Sequence, residues 1–313
     1  MSYGLYTGGE REFFPGLVAA INALRWYGCR APIAVFDLGL DPWMQNYLCG
    51  FEDVQVYDLR PLAQVTRYTD VCSDASPVLC DCGFKAFGIV HINCFERFTF
   101  MDADLLPLCN LEAALDPMIG DGAFVSVEDG WNDWEAWHAE NLGVTPGPRP
   151  NVNSGLFSLS MVHHAAIMHE WCHLHTRRQA MDRLFADQGA LNVVLDKYGV
   201  PKLALERELW SQAGLNQSMA VAGAVARNGD ELVHLPSGRR IGAWHTAGCA
   251  KLWQQAGVDF TGRSPEAIEA IRRQSEGTSP WPVVEAFEHF LRLDCFHVPV
   301  IAAYEAACVG RPD

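Results

Sequence analysis

Two aspartates one residue apart, Asp102 and Asp104, interrupt an otherwise apolar stretch, Phe98-Thr-Phe-Met-Asp-Ala-Asp-Leu-Leu-Pro107. Like charges this close repel and prefer water to a core. On a strand, side chains two apart share a side and sit about 6–7 Å from each other. A divalent cation on that side removes the repulsion, and carboxylate oxygens suit hard ions such as Mg2+ or Mn2+. The plainer reading is a solvated acidic pair where a strand meets a loop, and the pair alone does not separate the two.

Three further groups bear on the choice. Gly242-Ala-Trp-His245-Thr-Ala-Gly248-Cys-Ala-Lys251 offers an imidazole that could complete a metal site. It also offers a glycine that lets backbone approach a phosphate and an ammonium charge to hold it. An oxygen-rich metal beside a glycine and a lysine describes a site for a diphosphate leaving group. Asn151-Val-Asn153-Ser-Gly155 directly precedes an apolar run, and Asp187-Gln188 opens the segment DQGALNVVLDKY. Asparagine and glutamine at such places are ordinarily caps or turn residues. Functionally they are groups that hydrogen-bond sugar hydroxyls.

The elements that must position these residues alternate. Gly4 to Thr7 reads as a strand broken by Gly8-Gly9, and Pro15 to Tyr27 is helical by its spacing, ending at Gly28. Ile33 to Asp37 and Val54 to Tyr57 are further strands, with a helix near Pro42 to Cys49 between them. A longer connection leads to a helix around Phe84 to Phe95 and then to the strand that carries the two aspartates. This rhythm predicts an α/β fold with a largely parallel sheet and helices on both faces. Ligands of such sheets bind at the carboxyl ends of the strands. Gly8-Gly9, Asp37, Asp102-Ala-Asp104 and Glu128-Asp129 all fall at those ends, followed by the loop Thr145-Pro-Gly-Pro-Arg-Pro150. The last stretch is mostly helical, with caps expected at Ser264-Pro265 and Ser279-Pro280 and with Trp281 and Phe287 as packing residues.

Composition narrows the function. The chain has 313 residues, 49% of them hydrophobic, with 38 acidic against 23 basic side chains and a net charge of −15. That balance excludes nucleic acid and anionic membrane as main partners, since both need a basic face. No transmembrane segment is expected, because no run of about 18 apolar residues occurs. The N-terminus has no basic patch followed by an apolar stretch, so a cytoplasmic protein is expected. The 11 cysteines are therefore read as free thiols. Cys72, Cys80 and Cys82 lack the spacing of a zinc site.

In their order and spacing these motifs resemble glycosyltransferase family 8, the retaining galactosyltransferase and glycogenin type. The matches are Phe98-Thr-Phe-Met-Asp102-Ala-Asp104, Asn153-Ser-Gly155-Leu-Phe, Asp187-Gln188 and His245-Thr-Ala-Gly248-Cys-Ala-Lys251. Lys85, 17 residues before Asp102, falls where the family places a basic donor-binding residue. The resemblance runs from roughly residue 3 to 253. It implies a GT-A-like mixed, mostly parallel sheet flanked by helices over 1–253, the nucleotide-sugar-binding and catalytic unit. Residues 254–313 are then a helical C-terminal appendage for which the main sheet is the surface to pack on. It further implies Asp102, Asp104 and His245 as ligands of Mn2+, with Mg2+ the alternative. Gly248 and Lys251 would hold the diphosphate of a nucleotide-sugar donor, Lys85, Asn153 and Gln188 would contact the transferred hexose with Gly155 also on the donor side, and Asp187 and Gln188 would be the catalytic residues. Gln188 would face the anomeric carbon, as nucleophile or as bystander to a front-face route. Thr7, Gly8 and Gly9 stand in the nucleoside position. There the family usually has acidic and aromatic residues, so the resemblance does not carry the identity of the base. The acceptor, whether glycan, protein or small molecule, lies on parts of the chain that match nothing.

Two other readings compete. His169-Glu-Trp-Cys-His173 fits H-E-x-x-H, which on a helix places two imidazoles on one face for zinc, with the glutamate as general base of a peptidase. No H-x-x-G-x-x-H extension follows, and five histidines between 163 and 175 make a chance match easy. The other is a non-catalytic binding protein with the same fold, against which stands the full polar set.

Overall fold

A computed structural model describes residues 2–61, 84–120, 122–129, 151–175, 186–210, 224–246, 250–258, 264–275 and 279–293. Its strands are β1 (Tyr3–Glu10), β2 (Ile33–Gly39), β3 (Val54–Asp58), β4 (Arg97–Met101), β5 (Leu105–Pro107), β6 (Phe124–Asp129), β7 (Asn151–Ser160), β8 (Lys202–Leu205), β9 (Val225–Asn228), β10 (Glu231–His234), β11 (Arg239–Arg240) and β12 (Ala243–His245). Seven of them form one sheet in the order β3-β2-β1-β4-β7-β6-β8. β1 runs parallel to β2 and β4, β2 to β3, and β6 to β8, whereas β7 lies antiparallel to both β4 and β6. The mostly parallel sheet expected from the alternating elements is present.

Both faces of the sheet are covered, which is why its strands read as near-continuous apolar runs. Alternate residues part to opposite sides. Leu5, Val35 and Met101 join one buried cluster with Leu17 and Ile21 of the Phe14–Trp26 helix. Tyr6, Phe36, Phe98 and Phe100 join the other, with Phe84 and Phe87 of the Phe84–Ile92 helix and Trp171 of the Met161–His175 helix. β7 is buried at every position. Tyr6 and Phe36 stack at 5.2 Å between ring centres, and Phe100 and Phe157 at 5.3 Å, so aromatic contacts tie β1, β2, β4 and β7 together.

Gly8 and Gly9 do not break β1. The strand continues to Glu10, with Gly8 opposite Phe36 and Gly9 opposite Asp37. A Cβ on Gly8 would lie 2.7 Å from both the Cβ and the carbonyl oxygen of Phe36, so the glycine serves close approach rather than a turn. Asp37 is also structural. Its Oδ1 accepts from the backbone of Gly39 and Leu40 at 2.7 Å each, and its Oδ2 accepts from Gln45 at 2.7 Å.

The chain beyond residue 253 enters the same core. In the Trp281–Arg292 helix, Val283, Phe287 and Phe290 are buried in the cluster that holds Leu17 and Ile21. The buried amide of Asn22 donates to the carbonyls of Phe290 at 2.8 Å and Leu293 at 3.1 Å, satisfying the end of that helix. Two sequence expectations shift here. Ser264 receives the backbone N–H of Ala267 at 3.3 Å, as a cap should, but Ser279 is buried and accepts from Trp244 Nε1 at 3.3 Å and Gln255 Nε2 at 3.2 Å. Trp281, expected to pack, is 63% exposed, with its indole N–H on Glu285. Cys72, Cys80, Cys82 and the 145–150 loop lie outside the described residues, and Cys29, Cys49, Cys94, Cys109 and Cys172 are free thiols. Among the described residues no helix is long and apolar enough to cross a membrane.

The short pair β5–β12 matters most for function. It is antiparallel, with Leu105 opposite His245 and Pro107 opposite Ala243. That register alone carries residue 245 back to the turn after β4. The turn in turn rests on the first helix: a Cβ at Gly16 would lie 2.0 Å from the carbonyl oxygen of Ala103 and 2.7 Å from the Trp253 ring. Gly16→Ala is therefore expected to destabilise the protein by about 1–3 kcal/mol through overpacking against backbone. An unchanged urea midpoint would show that the helix does not press on the Asp102–Asp104 turn.

Candidate active site

Asp102 follows the last residue of β4, and its N–H donates to the Gly155 carbonyl at 2.8 Å. The chain then turns, with Leu105 N–H on the Asp102 carbonyl at 3.0 Å, so the two carboxylates leave the sheet edge together. Thr246 fixes the far side: its N–H and its hydroxyl both donate to the Asp104 carbonyl at 3.1 Å. His245 Nε2 stands 3.1 Å from Asp104 Oδ1 and 3.5 Å from Asp102 Oδ2. One ligand atom from each of Asp102, Asp104 and His245 lies within 4.8 Å of the others, and no other such group occurs among the described residues. Asp104 and His245, brought together across 141 positions of sequence, are among the residues singled out there.

Gly155 makes this closeness possible. A Cβ there would lie 2.2 Å from His245 Cε1 and 2.7 Å from Asp102 Oδ2. The glycine of the Asn-Ser-Gly motif is thus a spacer beneath two candidate ligands.

Two lysines balance the carboxylates. Lys85, buried in the Phe84–Ile92 helix, lies 2.9 Å from Asp102 Oδ1 and 3.1 Å from Asp187 Oδ2, and donates to the Ser154 carbonyl at 3.3 Å. Lys251 donates to Asp104 Oδ2 and, at 3.0 Å, to the Thr246 carbonyl. Burial raises the Asp104 carboxyl, but the charges of His245 and Lys251 outweigh it and hold the group below the usual carboxylate range. Burial likewise pushes His245 down, yet the facing Asp104 and Asp102 carboxylates lift it to about 9. The site thus sets His245 and two lysines among the carboxyl groups of Asp102, Asp104 and Asp187, an arrangement that favours the charged imidazole.

Asn153 and Gln188 form a network whose orientation the backbone dictates. Gly155 N–H donates to Asn153 Oδ1 at 2.7 Å, so the Asn153 amide must face Gln188, where it donates to Oε1 at 2.8 Å. Ser154 N–H reaches the same oxygen at 3.3 Å. Backbone donors therefore leave no ambiguity in either carboxamide. Asp187, at the start of the Ala186–Lys197 helix, accepts from Ser154 Oγ at 2.7 Å. Ser154 bridges Lys85 and Asp187 and was missed in the sequence. The only signal there is its place between Asn153 and Gly155.

The nucleoside-side residues are placed less openly. Thr7 is buried, and its hydroxyl has no hydrogen-bond partner among the described residues. Gly9 reaches the site's rim, since a Cβ there would lie 3.6 Å from the Cβ of Ala103 and 2.8 Å from that of Phe13. Gly248 lies outside the described residues.

The rival helix carries a different arrangement. Glu170 accepts hydrogen bonds from Lys197 and, at 2.7 Å, from the Tyr198 hydroxyl, and is held below its ordinary range by burial-opposed contacts to both. His169 and His173 belong to no metal-binding group among the described residues. The glutamate meant as general base is thus engaged in a surface ion pair, and no third ligand stands beside the two histidines among the described residues.

No protein-family model and no curated protein matches the chain. Solved structures do. The apo bifunctional glycosyltransferase WbbM superposes with a TM-score of 0.56 at 15% identity, over 92% of this chain and 51% of WbbM. This chain spans about half the length of that protein. The galactosyltransferase LgtC, solved with donor and acceptor sugar analogues, gives 0.55 at 14% identity over 90% of this chain and 99% of LgtC. GlyE of Streptococcus pneumoniae TIGR4 gives 0.52 at 13% identity, over 93% of this chain and 63% of GlyE. The fold is that of the GT-A glycosyltransferases. Within the GT-A sheet, the Asp102–Asp104 turn lies at the carboxyl end of β4, where open α/β sheets bind their ligands.

Two measurements probe this geometry. If the three groups hold a divalent ion, Gly155→Ala is expected to abolish its binding in a titration, because the methyl group needs the space between His245 and Asp102. Retained binding would mean that the three ligands do not converge as described. In chelator-treated protein, the raised His245 group contributes stability that is complete below its ordinary value of 6.5 and is lost as pH rises through about 9. Melting curves of His245→Gln should lack that alkaline segment, and an identical pH profile would remove the ion pairs from the account.

Proposed function

We propose that the protein is a metal-dependent glycosyltransferase that moves a hexose from a nucleotide diphosphate sugar to an acceptor, with retention at the anomeric carbon. The observation that carries this reading is the convergence of Asp102, Asp104 and His245 beside Lys85 and Lys251 at the carboxyl end of β4. The GT-A fold supports it, as does the complex of LgtC with donor and acceptor sugar analogues, at the level of that protein.

Two carboxylates and an imidazole form an oxygen and nitrogen set that suits Mn2+, whereas Mg2+ favours oxygen alone. When bound, the ion supplies positive charge against the diphosphate as the glycosidic bond breaks. The protein's own contributions are separable. Lys251 adds a second positive charge for the departing diphosphate; Gly248 is assigned to the same group by its place in the sequence motif alone. Gly9, at the rim beside Ala103, lets β1 approach the nucleoside with backbone rather than side chain. Lys85, held by Asp187 and Ser154, faces the hexose from the sheet side.

Gln188 takes a positioning role in this scheme. Its Oε1 already accepts from Asn153 and Ser154. A carbonyl oxygen has two lone pairs, both engaged, so attack on the anomeric carbon would cost at least one of these bonds. Retention then follows a front-face course, in which the acceptor enters on the side from which the diphosphate leaves and Gln188 fixes the part of β7 that carries Asn153 to Gly155.

The test is thermal stability against a panel of nucleoside diphosphates, each with and without Mn2+. Native-state binding at a hundredfold excess over Kd adds about 2.7 kcal/mol. The expected result is a rise that needs both Mn2+ and one particular nucleotide, and that vanishes in Asp104→Asn, together with hexose transfer. An Asp104→Asn chain with full activity and unchanged metal dependence would sink the assignment. Ligand-dependent stabilisation without release of nucleoside diphosphate from any nucleotide sugar would identify a binding protein of the same fold.

A further inference from the structure

We propose that Lys251 and the divalent ion exchange places on Asp104, so that the lysine guards the empty ligand set and passes to the diphosphate when the metal enters. This deepens the metal-dependent reading above and rests on it.

The same carboxylate serves both. Asp104 Oδ2 accepts from the Lys251 ammonium, and Asp104 is one of the three residues whose ligand atoms converge. An ammonium and a divalent ion cannot share one carboxylate of a buried cluster at no cost, since like charges at such range repel strongly where water is excluded.

The two lysines differ in a way that decides which one leaves. The Lys85 side chain is 5% exposed and bound to Asp102, Asp187 and Ser154. The Lys251 side chain is 21% exposed and reaches inward to two buried partners, Asp104 and the Thr246 carbonyl. Its backbone is anchored, because Lys251 N–H donates to Gln254 Oε1 at 2.9 Å at the head of the Leu252–Gln255 helix. A fixed backbone with a flexible four-carbon stem lets the charge move while the fold does not.

Formal charge points the same way. Asp102, Asp104 and Asp187 are matched by Lys85 together with a divalent ion, taking His245 as a neutral ligand. Keeping Lys251 in place as well would leave one positive charge in excess. A diphosphate at the rim supplies the new partner for it. Metal and diphosphate are thereby coupled through the lysine, in addition to any direct bond between them, and such coupling is reciprocal.

The experiment is titration of the full chain with Mn2+ alone, without nucleotide, followed by the EPR signal of free Mn2+. Lys251→Gln removes the charge but keeps an amide donor for the Thr246 carbonyl, and Lys251→Met removes the charge on a stem of similar length. Both are expected to bind Mn2+ about tenfold more tightly than wild type, within the usual range of site coupling. Lys251→Arg, which keeps the charge, should bind like wild type. Inorganic pyrophosphate should raise Mn2+ affinity more in wild type than in Lys251→Gln. Equal or weaker Mn2+ binding by both neutral variants overturns the exchange and leaves the metal site standing. No Mn2+ binding by any of the four chains overturns the exchange and the metal reading together.

Discussion

Mutual repulsion among Asp102, Asp104 and Asp187 is the constraint around which this part of the molecule is arranged. Asp104 and Asp187 are buried and Asp102 is only partly exposed, so water does little to screen them. Each is met by a cation: Lys85 between Asp102 and Asp187, Lys251 and His245 against Asp104. Removing one partner of a buried pair commonly costs about 3–5 kcal/mol, because an uncompensated charge remains. Such a cluster contributes little to net stability, and a hydrophobic replacement would serve the fold as well. Its presence at a strand end asks for a chemical reason, which the proposed metal and diphosphate site would supply.

The rest of the architecture delivers groups to that cluster. The turn after β4 supplies Asp102 and Asp104, the β5–β12 pair His245, the Phe84–Ile92 helix Lys85, and the Ala186–Lys197 helix Asp187 and Gln188. Glycines set the distances. Gly155 clears the space beneath His245 and Asp102, and Gly16 lets the first helix sit against Ala103 between the two aspartates. The C-terminal helix reinforces this from behind, with Phe287 and Trp253 packed near that helix and Asn22 closing its end.

The polar network is ordered by backbone donors rather than by side-chain choice. Gly155 N–H orients Asn153, which orients Gln188, which receives Ser154 N–H as well. Because the donors are peptide groups of β7, the carboxamides inherit the strand's rigidity. Positioned dipoles of this kind need no reorganisation when charge develops nearby, which is the usual source of electrostatic catalysis.

Read as a string, the chain determined its alternating strands and helices, the convergence of polar residues at strand ends, and the Asp102-Ala-Asp104, Asn153-Ser-Gly155, Asp187-Gln188 and His245 to Lys251 motifs. These are legible because hydrophobic period and side-chain chemistry are local properties. Tertiary structure alone decided the rest. That Gly8 and Gly9 continue β1 follows from the pressure of Phe36, and that Ser279 caps nothing follows from its burial under Trp244 and Gln255. The role of Ser154, the direction of the Gln188 carboxamide, and the closeness of residue 245 to residue 104 all depend on strand register. Register is set by packing between segments more than a hundred residues apart, and spacing along one chain does not encode it.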